Sequence, residues 1–262
     1  MRLFFPLIAT IFVFSAVCPA AEPSIDSFRV ENELTVQQTG VKVKTTTLFR
    51  QGIVYDMIGD NGETTIFDEQ NDTFTLLEPA FRFQTQIRAS ELKKNVLKSR
   101  ERMRSEKNPF FAFAAFPKFE ETYEEESGLT RFQSPWIDYQ IETLPLDDDS
   151  LRQRYYDFCD WYCFLNLRVN PDSTTLFARM EVNRFLNAQK RFPKKIQASV
   201  FRKGNSGITG IVTQPDVYTS THKLGTRFVP EDEQRLIRVE EQRKTFRTVS
   251  FAEYQKEMEN EK

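Results

Sequence analysis

The chain has 262 residues, with 36 Lys+Arg against 38 Asp+Glu and a single histidine, for a net charge of −2. So even a balance gives no global electrostatic pull on nucleic acid, and one histidine with the two cysteines beyond residue 21 leaves too few ligands for a zinc site. Twenty-five phenylalanines and only 9 glycines favour a filled core over a low-complexity chain.

The N-terminus has the three parts of a secretory signal. Arg2 is the basic region, residues 3–17 form an apolar run broken only by Pro6, Thr10 and Ser15, and Ala20 and Ala21 suit a signal peptidase. The run is short for a bilayer span, which needs about 20 residues. Cys18 follows Val17 and Ser15, where a lipidated cysteine wants a small residue and a leucine, so it is read as part of the discarded segment. Residues 1–21 are therefore expected to leave, giving a periplasmic or secreted chain with no transmembrane segment.

Residues 26–88 alternate with period two. The segments 28–36, 41–49, 53–57, 64–67, 73–77 and 81–87 read as six short strands, punctuated by Gly40, Gly52, the Gly59–Gly62 turn, Asn71-Asp72 and Pro79-Ala80. Short connections make them an antiparallel meander.

Ser90 can cap a helix running to about residue 107, which carries seven basic and three acidic residues. Pro109 stops it, and a run with Phe110, Phe111, Phe113 and Phe116 follows. This pair of segments has two readings: a mobile lid or membrane-facing element, and, favoured, a plug closing the open face of a curved sheet while the basic side meets water. The two are compatible if a ligand displaces the plug.

Three further strands are expected between residues 119 and 144. Asp147, Asp148 and Asp149 open a helix favoured by their charge at its positive end, and Pro171 opens a second one to about residue 189, forming a helical hairpin. Segments 195–202, 208–213 and 218–229 read as a last sheet, 230–243 as a charged helix, and 248–262 as a tail with a short apolar patch (Val249, Phe251, Tyr254) followed by polar residues that fray. Strands grouped before and after helices point to α+β with a curved antiparallel sheet packed against helices. The domain plan is 22–247 as one unit, with 26–144 and 145–247 as possible halves.

Catalytic groups are few. His222 has no neighbouring carboxylate to orient it and is read as a surface or edge residue. Cys159 and Cys163 are four apart on a helix, a spacing that aims the thiols poorly for a disulfide, so they are read as packing residues. The loops 60–63 and 68–72 are rich in oxygen ligands but lack a calcium-loop spacing. Trp136 and Trp161 read as packing anchors. No cofactor motif occurs, and no enzymatic activity is expected.

The stretches TLFRQGIVYDM (47–57), ETTIFD (63–68) and TFTLLEP (73–79) resemble the meander of LolA-like periplasmic lipoprotein carriers. That resemblance implies a half-barrel whose open apolar side is closed by helices. YDFCDWY (156–162), FARMEVN (177–183) and VSFAEY (249–254) are similar to segments of an exported protein family of planctomycete bacteria, which implies a compartment and no activity. The expected role is an exported, non-enzymatic protein binding a lipid, acyl chain or lipoprotein in a curved-sheet cavity lined or gated by Phe110, Phe111, Phe113 and Phe116. The alternative is a structural or interaction protein of the cell envelope, with a fully packed core and no ligand, whose partner is another envelope protein.

Overall fold

The computed structural model describes residues 27–169, 175–201 and 214–259. The expected signal peptide with Cys18, the Pro171 helix start and the 208–213 strand lie outside the described residues.

Six strands follow one another as β1 (Ser27–Val36), β2 (Lys42–Arg50), β3 (Ile53–Ile58), β4 (Thr64–Asp68), β5 (Thr73–Glu78) and β6 (Phe83–Arg88), each antiparallel to the next. The turns set the register. Arg50 pairs with Ile53, leaving Gln51 and Gly52 as a two-residue loop with φ of 50° and 80°, the left-handed pair that a tight hairpin between twisted strands needs.

Helices α1 (Ala89–Met103) and α2 (Pro109–Ala115) come next, then β7 (Glu120–Glu124), β8 (Leu129–Gln133) and β9 (Ile137–Pro145). Ser90 is inside α1 rather than its cap; its N–H and hydroxyl instead bond the Asp72 carboxylate. The Phe run is itself a helix, started by Asn108 accepting from the Phe110 N–H with Pro109 behind it.

Helix α3 (Asp149–Val169) is capped by Asp148, which accepts from the Leu151 N–H. It packs against α4 (Leu176–Ala188), and the chain continues through β10 (Arg191–Val200), β11 (Asp216–Gly225), α5 (Pro230–Thr245), β12 (Arg247–Thr248) and α6 (Phe251–Glu259). The tail expected to fray is ordered: β12 pairs in parallel with β6, and α6 buries Tyr254. A frayed end would leave Tyr254 and Val249 in water.

The described strands form one open sheet in the order β12-β6-β5-β4-β3-β2-β1-β11-β10-β9-β8-β7. Its chain-distant join is β1 against β11, paired from Arg29–Gly225 to Val36–Tyr218. The fold is thus α+β with an open, almost wholly antiparallel sheet.

One face carries the main core. Phe28, Phe49, Val54, Phe67 and Phe74 form a row across five strands, with Phe28 stacked on Phe49 at 4.0 Å and Phe67 on Phe74 at 4.5 Å. Helix α3 crosses this row: Arg154 lies over Phe28, Phe158 meets Phe49, and Trp161 covers Phe67. Tyr155 reaches Phe192 of β10. From Arg154 to Phe164 the helix rises about 15 Å, whereas a flat sheet from β5 to β10 would span about 29 Å. The sheet therefore curves around α3.

Helix α5 crosses the opposite face of β1–β6. Leu236 and Val239 bury Leu48, Tyr55, Met57, Ile66 and Leu77. Its start is fixed by fully buried Asp232, which pairs with Arg29 at 3.2 Å and accepts from the Val229 N–H. Gly225 is needed there, because a Cβ would stand 2.8 Å from the Arg29 side chain. Beyond β1 this face is polar: Lys223, Lys195 and Glu142 lie on it, with Lys195 and Glu142 paired at 3.6 Å.

Candidate functional site

The candidate site is the helix-covered face where β1, β11, β10 and β9 meet α3 and α4. Strand alternation sends Asn32, Leu34, Tyr218, Ser220, His222, Leu224, Ala198 and Tyr139 to this side. Along the row from β2 to β5 most side chains on the same face are fully buried; here Leu34, Ala198, Tyr218 and Leu224 are only half-buried.

His222 is not an edge residue. β11 is a central strand, and the Phe192 ring stands edge-on 6.5 Å from the imidazole. Its Nε2 is 3.0 Å from Ser220 Oγ, two residues along the same face. His222 is half-buried as a residue, yet its ring is desolvated, and with Arg179 adding repulsion its pKa is pushed down to about 3. The ring is neutral at neutral pH. No carboxylate bonds it, so a hydrolytic triad is not assembled among the described residues.

Helix α3 contributes Tyr155, Tyr156, Cys159 and Cys163. Both cysteines are free thiols, and burial pushes Cys159 up to about 12 and Cys163 higher still. They are packing thiols without nucleophilic character. Burial likewise raises the Tyr139, Tyr155 and Tyr156 hydroxyls far above ordinary tyrosine.

Helix α4 contributes Arg179, which the sequence analysis did not single out. Its position was legible: Arg179, Val182, Asn183 and Leu186 follow the i, i+3, i+4, i+7 spacing of one helical face, and the last three are buried. Arg179 is half-buried as a residue, but its Nη1 is enclosed with no hydrogen-bond partner, and among the described residues it enters no ion pair.

The four phenylalanines of the expected lid are all half-buried, three on α2 and Phe116 at its C-cap. Phe110 packs edge-on against Phe111 and Trp136, at 5.8 and 5.4 Å. Phe113 meets Phe119, which in turn touches Tyr139 at 5.9 Å, so a chain of rings leads from α2 towards the Arg179 side of the site. Phe116 is clamped by Arg100 and Arg104, with guanidinium carbons 4.8 and 4.1 Å from its centroid. Arg100 also lies over Phe177 and bonds the Ala115 carbonyl at 2.6 Å. The basic side of α1 thus rests in part on aromatic rings, as does Lys93 over Trp161.

A second polar group lies on the same face of the sheet, under the C-terminal half of α3. Asp56 of β3 accepts from the Thr47 hydroxyl at 2.6 Å, and burial lifts its pKa to about 6. Burial also raises Glu63, near the Tyr254 hydroxyl of α6. The loops 60–63 and 68–72 hold no metal-binding cluster: among the described residues no group of three His, Cys, Asp or Glu side chains could hold a metal ion. Asp60 is engaged by Arg235 and Arg238 beside a void of about 10 Å³, room for about one water.

Curved α+β architecture with a helix-covered sheet face is the class that the fold defines. No protein-family model matches the chain, and comparison with curated proteins finds none similar to it. Among the described residues no helix is long and apolar enough to cross a membrane.

Proposed function

We propose that this is an exported, non-enzymatic binding protein that takes an apolar ligand, such as an acyl chain, between its curved sheet and its helices. The observation that carries this is the half-buried apolar side of β1, β11 and β10, at the point where α5 no longer backs the sheet. A strip covered by helices on one side only opens at lower cost than the aromatic row held between α3 and α5. Support also comes from the α2 rings, which form a short hydrophobic segment against α4 that can swing aside. A half-barrel of the LolA-like kind, working in the periplasm or outside the cell, is the setting that the sequence resemblance suggests.

Displacement of a fluorescent fatty acid, read together with native mass spectrometry, tests the proposal. Stoichiometric acyl-chain binding is the expected result; absence of binding in both measurements overturns it.

A second reading is a scaffold or interaction protein of the cell envelope. It is favoured by the continuous edge-to-face packing from Phe113 through Phe119 to Phe132 and Phe185. Under that reading α2 stays closed, and its amides exchange as slowly with an acyl ligand as without one.

A further inference from the structure

We propose that Arg179 is the anchor for the carboxylate of an amphipathic acid, bound with its head at the junction of α3, α4 and β11 and its chain along the half-buried strip. This rests on the apolar-ligand reading and names the ligand's chemical class.

The inward arginines make the contrast. Arg29 pairs with Asp232, and Arg152 pairs with Asp149 while bonding Asn187 Oδ1 and the Leu146 carbonyl. Arg100 bonds a carbonyl and lies between two rings. Arg179 has none of these solutions: no hydrogen bond or ion pair within the described residues reaches it, and although the residue as a whole is half-buried its Nη1 is enclosed. A guanidinium cannot shed its proton to escape the cost of burial, and a buried charge without a partner is strongly unfavourable. The missing partner is an anion.

The surroundings select the kind of anion. Tyr139, Tyr155, Cys159 and Cys163 feel the Arg179 charge, and all are held neutral by burial. His222 is neutral too. The carboxylate that senses Arg179, Asp160, is turned to Asn183, whose amide donates to it at 2.9 Å. One uncompensated positive charge matches a monoanion. A dianionic phosphate would leave excess negative charge beside Asp160. Asn183 Oδ1 and Asn32 Oδ1 are also buried and unpartnered; being acceptors, they call for a donor such as a bridging water rather than for the carboxylate itself. The apolar residues Phe177, Val182, Ile196 and Phe192 are on hand for the chain.

Decanoate, decanol and acetate separate the head from the tail, and the sole histidine gives a reporter beside the anchor. Decanoate is expected to bind about tenfold or more tightly than decanol, as one charge-assisted pair implies, and to move the His222 imidazole resonances at pH 7. Arg179→Met is expected to abolish both effects and to melt no lower than the wild type, since it removes an unpaired buried charge; Arg179→Lys keeps part of the preference. Equal binding of decanol and decanoate overturns the anchor and leaves the apolar-ligand reading standing. Acetate moving His222 in the wild type but not in Arg179→Met, with neither ten-carbon ligand bound, supports the anchor and overturns the apolar-ligand reading. Inorganic phosphate moving His222 in preference to acetate overturns the carboxylate assignment. A lowered melting point for Arg179→Met with the decanoate preference intact makes the residue structural, and no response to any probe overturns both proposals.

Discussion

Strands β2–β6 and strands β1, β11 and β10 share one sheet but handle buried charge in opposite ways. The first group lies between α3 and α5, and the charged residues buried in its strands, Asp56 and Glu78, are acids. Asp56 sits in a fully buried position against the Thr47 hydroxyl with a pKa of about 6, so below that pH it is simply protonated. In the second group α5 reaches only β1, where Asp232 pairs with Arg29, and the cation held against its other face is Arg179 of α4. A carboxyl can neutralise itself by taking a proton from water; a guanidinium has no such route. The acid half is therefore self-sufficient, whereas the arginine half is complete only with something added.

The largest effect that bears on this contrast is in the sealed half. Phe74→Ala removes a fully buried ring stacked on Phe67 and edge-on to Trp161. A loss of about 3–5 kcal/mol is expected from chemical denaturation. A cost under 1 kcal/mol would mean that this half is loosely packed, and the contrast would collapse.

Asp56 gives the next effect and a sign. Its folded pKa lies above its ordinary value of 3.8, so its contribution to stability is fully present below about pH 4 and is lost as pH rises through about 6. The penalty at pH 8 is about 3 kcal/mol. Asp56→Asn keeps the acceptor for Thr47 and should stabilise the protein at pH 8 by up to that amount, with almost no change at pH 4. Melting curves of both forms across that range should diverge upward from pH 4; parallel curves would show that the carboxylate is solvated after all.

Phe116→Ala tests the α2 closure. Losing the ring clamped by Arg100 and Arg104 should cost about 1–2 kcal/mol, and limited proteolysis should cut nearer to α2 while the β2–β6 region stays protected. Smallest of all is Ile237→Ala. This side chain is 61% exposed on the outer side of α5, so its removal should change stability by less than about 0.5 kcal/mol. A larger effect would mean that the outer face of α5 is covered in solution.

Much of the first half was legible because its information is local. Alternating residues with Gly52 and the Gly59–Gly62 turn specify hairpins whose partners are adjacent in the chain. The α3 start was legible for the same reason, since Asp148 and Asp149 act within one turn of the helix. The α2 helix was missed: a seven-residue aromatic segment is too short to show a period, and the Asn108 cap with Pro109 was the available signal. The ordered tail was missed because Val249 and Tyr254 gain their burial from β6 and the main core, far away in sequence.

His222 and Arg179 show the limit most clearly. Alternation puts His222 on one face of a strand, but only the pairing of β11 with both β1 and β10 makes that strand central. Helical spacing puts Arg179 on a buried face, but the want of a hydrogen-bond partner for its Nη1 is a property of the assembled interior. By itself the sequence determined the meander, the helical hairpin and the phenylalanine-rich core, because hydrophobic period and turn chemistry act over a few residues. The tertiary structure decided that the two halves of the sheet join through β1 and β11, and that among the described residues Arg179 Nη1 is left without a partner beneath the helices. Burial and pairing depend on which distant surfaces meet, and no local pattern carries that information.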